Sequence, residues 1–522
     1  MTVTTPVPAR AAAAVRDVLG RLDDPCYVVR DPDGGLGLTP QRPADDGTVV
    51  AVAPPLPPER LGAPAFRAAH GVRHTYMCGA MAGGIASADL VVAAARSGVL
   101  GSFGAAGMLP AHIDTALGRI AAEAPGLPFA ANLIHSPSED ALERDAVDLY
   151  LRRGVRCVEA SAFMGLTRHV VRYRVAGLRT DPSGAVVADN RLIAKVSRPE
   201  VAAHFLAPPP PEMVEALVAD GLVTPEQRRL AARVPMADDI TVEADSGGHT
   251  DRRPMTALLP GVLAQRDATA AEHGYPHAVR VGAAGGLGTP AAVAAAYALG
   301  ADYVVTGSVN QACVESGTSP QAREMLARAG IADCEMAPAA DMFELGVELQ
   351  VLRRGTFFPM RAKSLLELYR RYDGLDALPD AERETLEKKV FRRSVDEVWD
   401  EVVAYFTRRD PEQLARAADD PRRRMALVFR WYLGMASRWA VTGETERAGD
   451  FQIWCGPAMG SFNDWVRGTY LAPPENRTVG DVATHLLRGA AYEARVWQLR
   501  LSGVRLPSAA TTYRPVPIEE AA

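Results

Sequence analysis

From Thr75 to Val309, short apolar runs alternate with longer segments in which Ala and Leu recur at helical spacing among Arg and Glu. This alternation predicts βα units feeding a parallel sheet. Eight runs read as strands, at 75–80, 99–103, 128–132, 155–159, 192–196, 240–244, 279–283 and 303–307. Several are continuously apolar, as strands buried on both faces must be. Eight consecutive units predict an α/β fold, a closed (β/α)8 TIM barrel; a doubly wound sheet fits less well because it gives no reason to stop at eight.

Between the fifth and sixth strands the spacing widens from Arg198 to Asp239, with a proline run at Pro208–Pro211 and two predicted helices. The second opens on Thr224-Pro225-Glu226-Gln227, where Thr caps, Pro takes the first helical position and Gln lies three residues on. This insertion, 198–239, is expected on the active-site side of the barrel, as a lid, a substrate wall or a structural decoration. Pro and Gly clusters at 31–35 and 54–58 predict an irregular N-terminal segment over 1–71, ahead of a barrel over 72–316. All six tryptophans (Trp399, Trp431, Trp439, Trp454, Trp465, Trp497) fall later, in amphipathic Arg/Glu-bearing stretches that predict a helical C-terminal region over 317–522.

With 57 basic and 63 acidic side chains the chain carries a net charge of −6, which argues against a basic nucleic-acid coat. No run approaches the ~20 apolar residues needed to cross a bilayer. The segment Met1–Arg10 lacks the basic-then-apolar pattern of a secretory signal, so a cytoplasmic location is expected. Six widely spaced cysteines without a CxxC fit neither a disulfide framework nor a zinc site, and no metal is expected. Only four of the basic residues are lysine (Lys195, Lys363, Lys388, Lys389), which makes Lys195 in its apolar strand conspicuous.

Two glycine-containing turns carry the clearest chemistry. Gly282-Ala-Ala-Gly285-Gly286-Leu287-Gly288-Thr289 follows the seventh strand, and Thr306-Gly307-Ser308-Val309 follows the eighth. In TIM barrels these two loops form a phosphate site, because Gly lets backbone N–H groups approach an anion. The first strand ends in small residues, Ala80, Met81, Ala82 and Gly83, onto which a flat ring can lie. The third ends in Asn132, the fourth in Glu159-Ala160-Ser161 and the fifth in Lys195. A lysine there either stabilises negative charge on a reduced planar cofactor or pairs with Glu159 or Glu243. After the sixth strand, Gly247 and Gly248 allow a sharp turn that presents His249, a candidate to protonate a carbon or polarise a carbonyl. His135, just after Asn132, is the second histidine of interest. Cys313 raises a rival nucleophilic chemistry, but no base flanks it.

Together MCGAMAGGIAS (77–87), FAANLIHSP (129–137), VEASAFMGLT (158–167), LIAKVSRPE (192–200), ITVEADSGGHTDRRP (240–254), VGAAGGLGTP (281–290) and YVVTGSVNQ (303–311) resemble the PfaD family. The resemblance continues through MFELGVELQVLRRGTFFPMRA (342–362) and QIWCGPAMGSFNDWVRGTYLAPPENR (452–477). Members are FMN-dependent enoyl reductases that act in trans on polyketide and polyunsaturated fatty acid synthases. The resemblance implies that NADPH reduces FMN and that the flavin passes hydride to the β-carbon of a 2-enoyl thioester on an acyl carrier protein. It also implies His249 as proton donor or carbonyl polariser. Lys195, Asn132, Glu159 and Ala80–Gly83 would lie against the flavin ring, beside Gly247 and Gly248. Gly285, Gly286, Gly288, Thr306, Gly307 and Ser308 would hold its phosphate. Nitronate monooxygenase is the second reading, and a non-catalytic flavoprotein or synthase scaffold the third. Lys388-Lys389, Arg392-Arg393 and Arg422–Arg424 are candidate carrier-docking charges, with solvated helix faces as the alternative. Related flavin barrels imply a homodimer.

Overall fold

The computed structural model describes residues 8–135 and 140–518, so Met1–Val7 and the last two residues of the FAANLIHSP motif lie outside the described residues. The chain divides into two compact units, one of Met1–Asp245, Arg252–Gly317 and Ser461–Ala522, the other of Ser246–Asp251 and Thr318–Gly460.

The first unit is built on a closed parallel barrel of eight strands: Tyr76–Cys78, Leu100–Phe103, Ala130–Ile134, Cys157–Ser161, Arg191–Val196, Asp239–Glu243, Arg280–Ala284 and Val304–Thr306. Each overlaps its expected run. Met77, Leu100, Ala130, Cys157, Ile193, Tyr303 and Val305 fill the interior together with Phe66. Phe66 belongs to the helix Pro64–His70, and its ring stacks on Tyr303 with centroids 4.3 Å apart. Gly282 is a packing glycine: a Cβ there would stand 2.4 Å from the Tyr303 ring.

The insertion contains three helices, Pro199–Leu206, Pro211–Ala219 and Pro225–Ala231, the last with the expected Thr224/Gln227 capping box. It differs from expectation in place. Its second and third helices pack on the outer helix Arg168–Ala176, and the third also on the hairpin Leu178–Ala188 before the fifth strand. Gln227 Nε2 donates to Ala176 O at 2.8 Å, at the end of that outer helix. These helices extend the outer ring of the barrel and do not form a lid.

The N-terminal segment is also more regular than its Pro and Gly clusters suggest. It forms the helix Ala12–Gly20 and an antiparallel sheet of Leu36–Thr39, Cys26–Arg30 and Val49–Ala53. Its apolar face is covered by Tyr492, Val496 and Leu499 of the long helix Val479–Leu501. Buried Arg495 of that helix donates to the carbonyls of Leu19, Arg21, Leu22, Asp24 and Pro54. Residues 461–522 therefore belong with the barrel and not with a separate C-terminal region.

In the second unit, Gly248–His249, Glu348–Leu352 and Cys334–Pro338 form an antiparallel sheet, followed by helices that include Phe358–Arg371, Val395–Arg409 and Pro421–Thr442. Phe391, Phe429, Tyr432 and Trp439 form an aromatic cluster in its core. Of the candidate docking charges, Lys388 pairs with Glu384, Arg393 with Glu401 and Arg422 with Asp373 at the exposed surface of the unit, and Arg423 with part-buried Glu344. Among the described residues, no helix is long and apolar enough to cross a membrane and no group of three or more His, Cys, Asp or Glu could hold a metal ion.

Candidate active site

Both glycine turns sit at the carboxyl end of the barrel strands, and the structure separates their residues by role. Gly285 and Gly286 have φ of +90° and +74°, the left-handed region that an L-residue enters only with strain. A Cβ at Gly285 would stand 2.7 Å from the Ala244 carbonyl, whereas Gly286 and Gly307 have nothing within 4 Å of theirs. Gly288 closes the turn by donating to Gly286 O at 3.0 Å, and Thr289 caps the helix Pro290–Ala298. Ser308 opens the short helix Ser308–Gln311. Thr306 departs from expectation: its hydroxyl is buried against Tyr76 Oη at 2.6 Å and Asn310 Nδ2 at 2.9 Å. It braces the loop, and the space beside Gly286 and Gly307 stays open.

The segment after the first strand turns back on the second barrel loop. Gly83 N donates to Ala106 O and Gly84 N to Gly104 O. Ala80, Ala82 and Gly83 keep exposed surface, while Met81 is buried inward, so three of the four expected ring-facing residues are available to a ligand.

Inside the mouth, Glu159 is wholly buried. Its Oε2 accepts from Ala80 N at 2.9 Å, and its Oε1 has no partner. Asn132 Nδ2 donates to Glu159 O at 3.0 Å and to Ser161 Oγ at 2.7 Å, so both its donors are used within the barrel. Lys195 Nζ lies 3.1 Å from Glu243 Oε1, the pairing foreseen as its structural alternative. Burial works against the lysine charge, but Glu243 and then Glu159 outweigh it and hold Lys195 above its ordinary range. The ammonium therefore stays protonated near neutrality, with much of its charge already balanced.

His249 belongs to the second unit. Gly248–His249 pairs with Leu349 and Gln350, and Gly247 and Gly248 are glycine because Cys455, Gly456 and Trp454 press within about 3 Å of where their Cβ atoms would be. That accounts for both glycines without a cofactor contact. His249 Nε2 faces Asp341 Oδ1 at 3.2 Å, and the Trp454 ring lies edge-on at 6.1 Å. Burial opposes ionisation of Asp341, yet its contact with His249 keeps its carboxyl below the usual range. Cys313 is buried with its thiol on Val309 O at 3.5 Å.

Residues 67–356 match the family model for nitronate monooxygenase, and 372–451 match that for the inserted helical domain of acyl-carrier-protein S-malonyltransferase. The chain is 49% identical over 487 residues to one of the polyunsaturated fatty acid synthase subunits of Thraustochytrium sp., covering 92% of this chain but 32% of that protein. It is 41% identical over 434 residues to polyketide biosynthesis protein PksE of Bacillus subtilis, covering 83% of this chain and 56% of PksE. The enoyl reductase domain of MlnA from the macrolactin cluster of Bacillus amyloliquefaciens superposes with a TM-score of 0.81 at 38% identity, over 86% of this chain and 100% of that domain. The chain belongs to the PfaD family. Its barrel is thus of the nitronate monooxygenase and enoyl reductase type.

Among the described residues, the open glycine cradle and the orphaned Glu159 oxygen are features of the mouth that internal packing does not explain. Glu143, which pairs with His135 at 3.0 Å, was not among the expected site residues. Its only signal in the sequence was a carboxylate one helical turn into the segment after the third strand.

Proposed function

We propose that this chain reduces the 2,3-double bond of 2-enoyl thioesters carried on an acyl carrier protein, using NADPH and FMN, for a polyketide or polyunsaturated fatty acid synthase. The observation that carries this reading is the end-to-end likeness to the MlnA enoyl reductase domain. The helical segment 372–451, similar to part of an enzyme named for acyl-carrier protein, supports the choice of carrier.

The residues fit FMN. The cradle at Gly286 and Gly307, which no side chain fills, takes the phosphate. Ala80, Ala82 and Gly83 offer a flat face, and Glu159 Oε1 offers an acceptor to a ring N–H. When bound, the flavin supplies two-electron hydride chemistry between nicotinamide and enoyl carbon. Lys195, kept as an ammonium by Glu243, is a fixed hydrogen-bond donor and not the proton source. In the second unit His249 is oriented through Nε2 by Asp341, which leaves its other ring nitrogen as the group that could meet a carbonyl.

The test is anaerobic absorbance of the FMN-loaded chain with one equivalent of NADPH, then a crotonyl-carrier conjugate. Bleaching by NADPH followed by return of the oxidised band on adding the thioester is expected. Bleaching by a nitronate but not by NADPH would replace this reading with nitronate oxidation.

A further inference from the structure

His135 follows the third barrel strand, and its backbone N–H donates to Ser161 O at 3.1 Å, keeping the third and fourth strands paired at the rim of the mouth. Its ring stacks on Phe163 with centroids 5.3 Å apart, and Nδ1 lies 3.0 Å from Glu143 Oε2. The Glu143 side chain is 1% exposed while the histidine keeps 22%. The second carboxylate oxygen of Glu143 accepts from the Thr167 hydroxyl. Both oxygens of this buried group are matched by donors, which places a proton on Nδ1 and leaves Nε2 as the ring's working nitrogen. No described residue bonds Nε2. The turn beside it is strained: Ala162 has φ of +63°, and it links Ser161, the acceptor for Asn132, to Phe163. The neighbouring His169–Asp140 pair, at 3.0 Å, is separate from this dyad.

We propose that His135, held by Glu143, is the catalytic acid that delivers the α-proton, an inference that rests on the enoyl reductase reading. As a hydride equivalent supplied by NADPH arrives at the β-carbon, the C2–C3 π pair moves to the α-carbon and thioester oxygen. The Nε2–H bond of the His135 imidazolium breaks with its electron pair left on nitrogen, and a C–H bond forms at the α-carbon. The ring is left neutral, with Nδ1–H on Glu143, and regains its proton from water. The thioester has gained two electrons and two hydrogens, one as hydride and one as proton. Lys195 is a poor donor because Glu243 and Glu159 hold its proton.

The experiment follows reoxidation of the NADPH-reduced, FMN-loaded full chain by crotonyl-pantetheine in His135→Asn and His135→Ala. Asn keeps a donor where Nδ1 stood and so keeps the loop pinned. Reoxidation is expected to slow at least about 10²-fold in both, with bleaching by NADPH unchanged and free imidazole restoring part of the rate in His135→Ala. Histidine 15N NMR of the unloaded chain across a pH series, with His135→Asn identifying the signal, is expected to show Nδ1 carrying its proton throughout and Nε2 as the nitrogen that gains and loses one. Wild-type rates in His135→Asn, absence of imidazole rescue, or an Nε2–H tautomer would overturn this role while leaving enoyl reduction intact. A wild-type chain that crotonyl-pantetheine cannot reoxidise would overturn both.

Discussion

At the amino end of the barrel, buried Asp239 has every oxygen matched: Oδ2 meets His70 Nε2 at 2.9 Å and an Arg280 amino group at 2.8 Å, and Oδ1 meets Arg280 Nε at 2.6 Å. At the carboxyl end, equally buried Glu159 has one oxygen on Ala80 N and the other on nothing. Removing a carboxylate from water costs several kcal/mol unless its lone pairs are met. The fold meets them all at one end and leaves one open at the other, the contrast expected if Asp239 serves stability and Glu159 the proposed flavin.

The largest expected effect breaks the satisfied end. Asp239→Ala strands Arg280 and His70 without their carboxylate and should cost about 3–5 kcal/mol in urea denaturation. Flavin content per folded molecule should be unchanged. Loss of flavin without loss of stability would erase the distinction between the ends.

A second satisfied group sharpens it through pH. His485 is 1% exposed, with Tyr470 Oη and Tyr513 Oη each 2.8 Å from a ring nitrogen. Burial, with a smaller push from Arg488, lowers its pKa to about 4. Between pH ~6.5 and ~4 the unfolded chain binds a proton that the folded chain refuses, so stability falls as pH falls through that window, by up to roughly 3 kcal/mol. The slope should flatten in His485→Gln, measured as the urea midpoint against pH.

The two adjacent glycines make the same distinction on a smaller scale. Gly286→Ala enters a left-handed conformation in open space and should cost about 1–2 kcal/mol of stability while greatly reducing flavin retention. Gly285→Ala adds a backbone collision with Ala244 and should destabilise more. Equal stability of the two variants would contradict the geometry.

The sequence carried the eight strands because each is an apolar run closed by turn residues, a local signal that tertiary packing did not override. Locality also explains the failures. The N-terminal sheet owes its stability to Val496 and Leu499, more than 400 positions away, and the insertion's place is set by the outer helix Arg168–Ala176, which no spacing reveals. The strand-end placement of Lys195, Glu159 and the Gly285-Gly286 turn was legible from the sequence. The sequence could not separate Gly286, which faces open space, from Gly282, which makes room for Tyr303. Nor could it show that Thr306 spends its hydroxyl on Tyr76 and Asn310.

The smallest stability effect belongs to the open end, and its sign is informative. Glu159→Gln keeps the size of the side chain and an oxygen for Ala80 N, and it removes a buried charge whose second oxygen is unmet. Because Lys195 still has Glu243 at 3.1 Å, the substitution does not strand the ammonium. The amide's new N–H group needs an acceptor, which offsets part of the gain, so unfolding should shift by less than about 1 kcal/mol in either direction. Flavin affinity should nevertheless fall, because the acceptor offered to a ring N–H becomes a donor whenever the amide turns its oxygen toward Ala80. Equilibrium dialysis against FMN, paired with urea denaturation of the same preparations, reads both quantities. A Glu159→Gln chain destabilised as severely as Asp239→Ala, with unchanged FMN affinity, would show that Glu159 serves the fold and that the two ends of the barrel differ only in how completely they are packed.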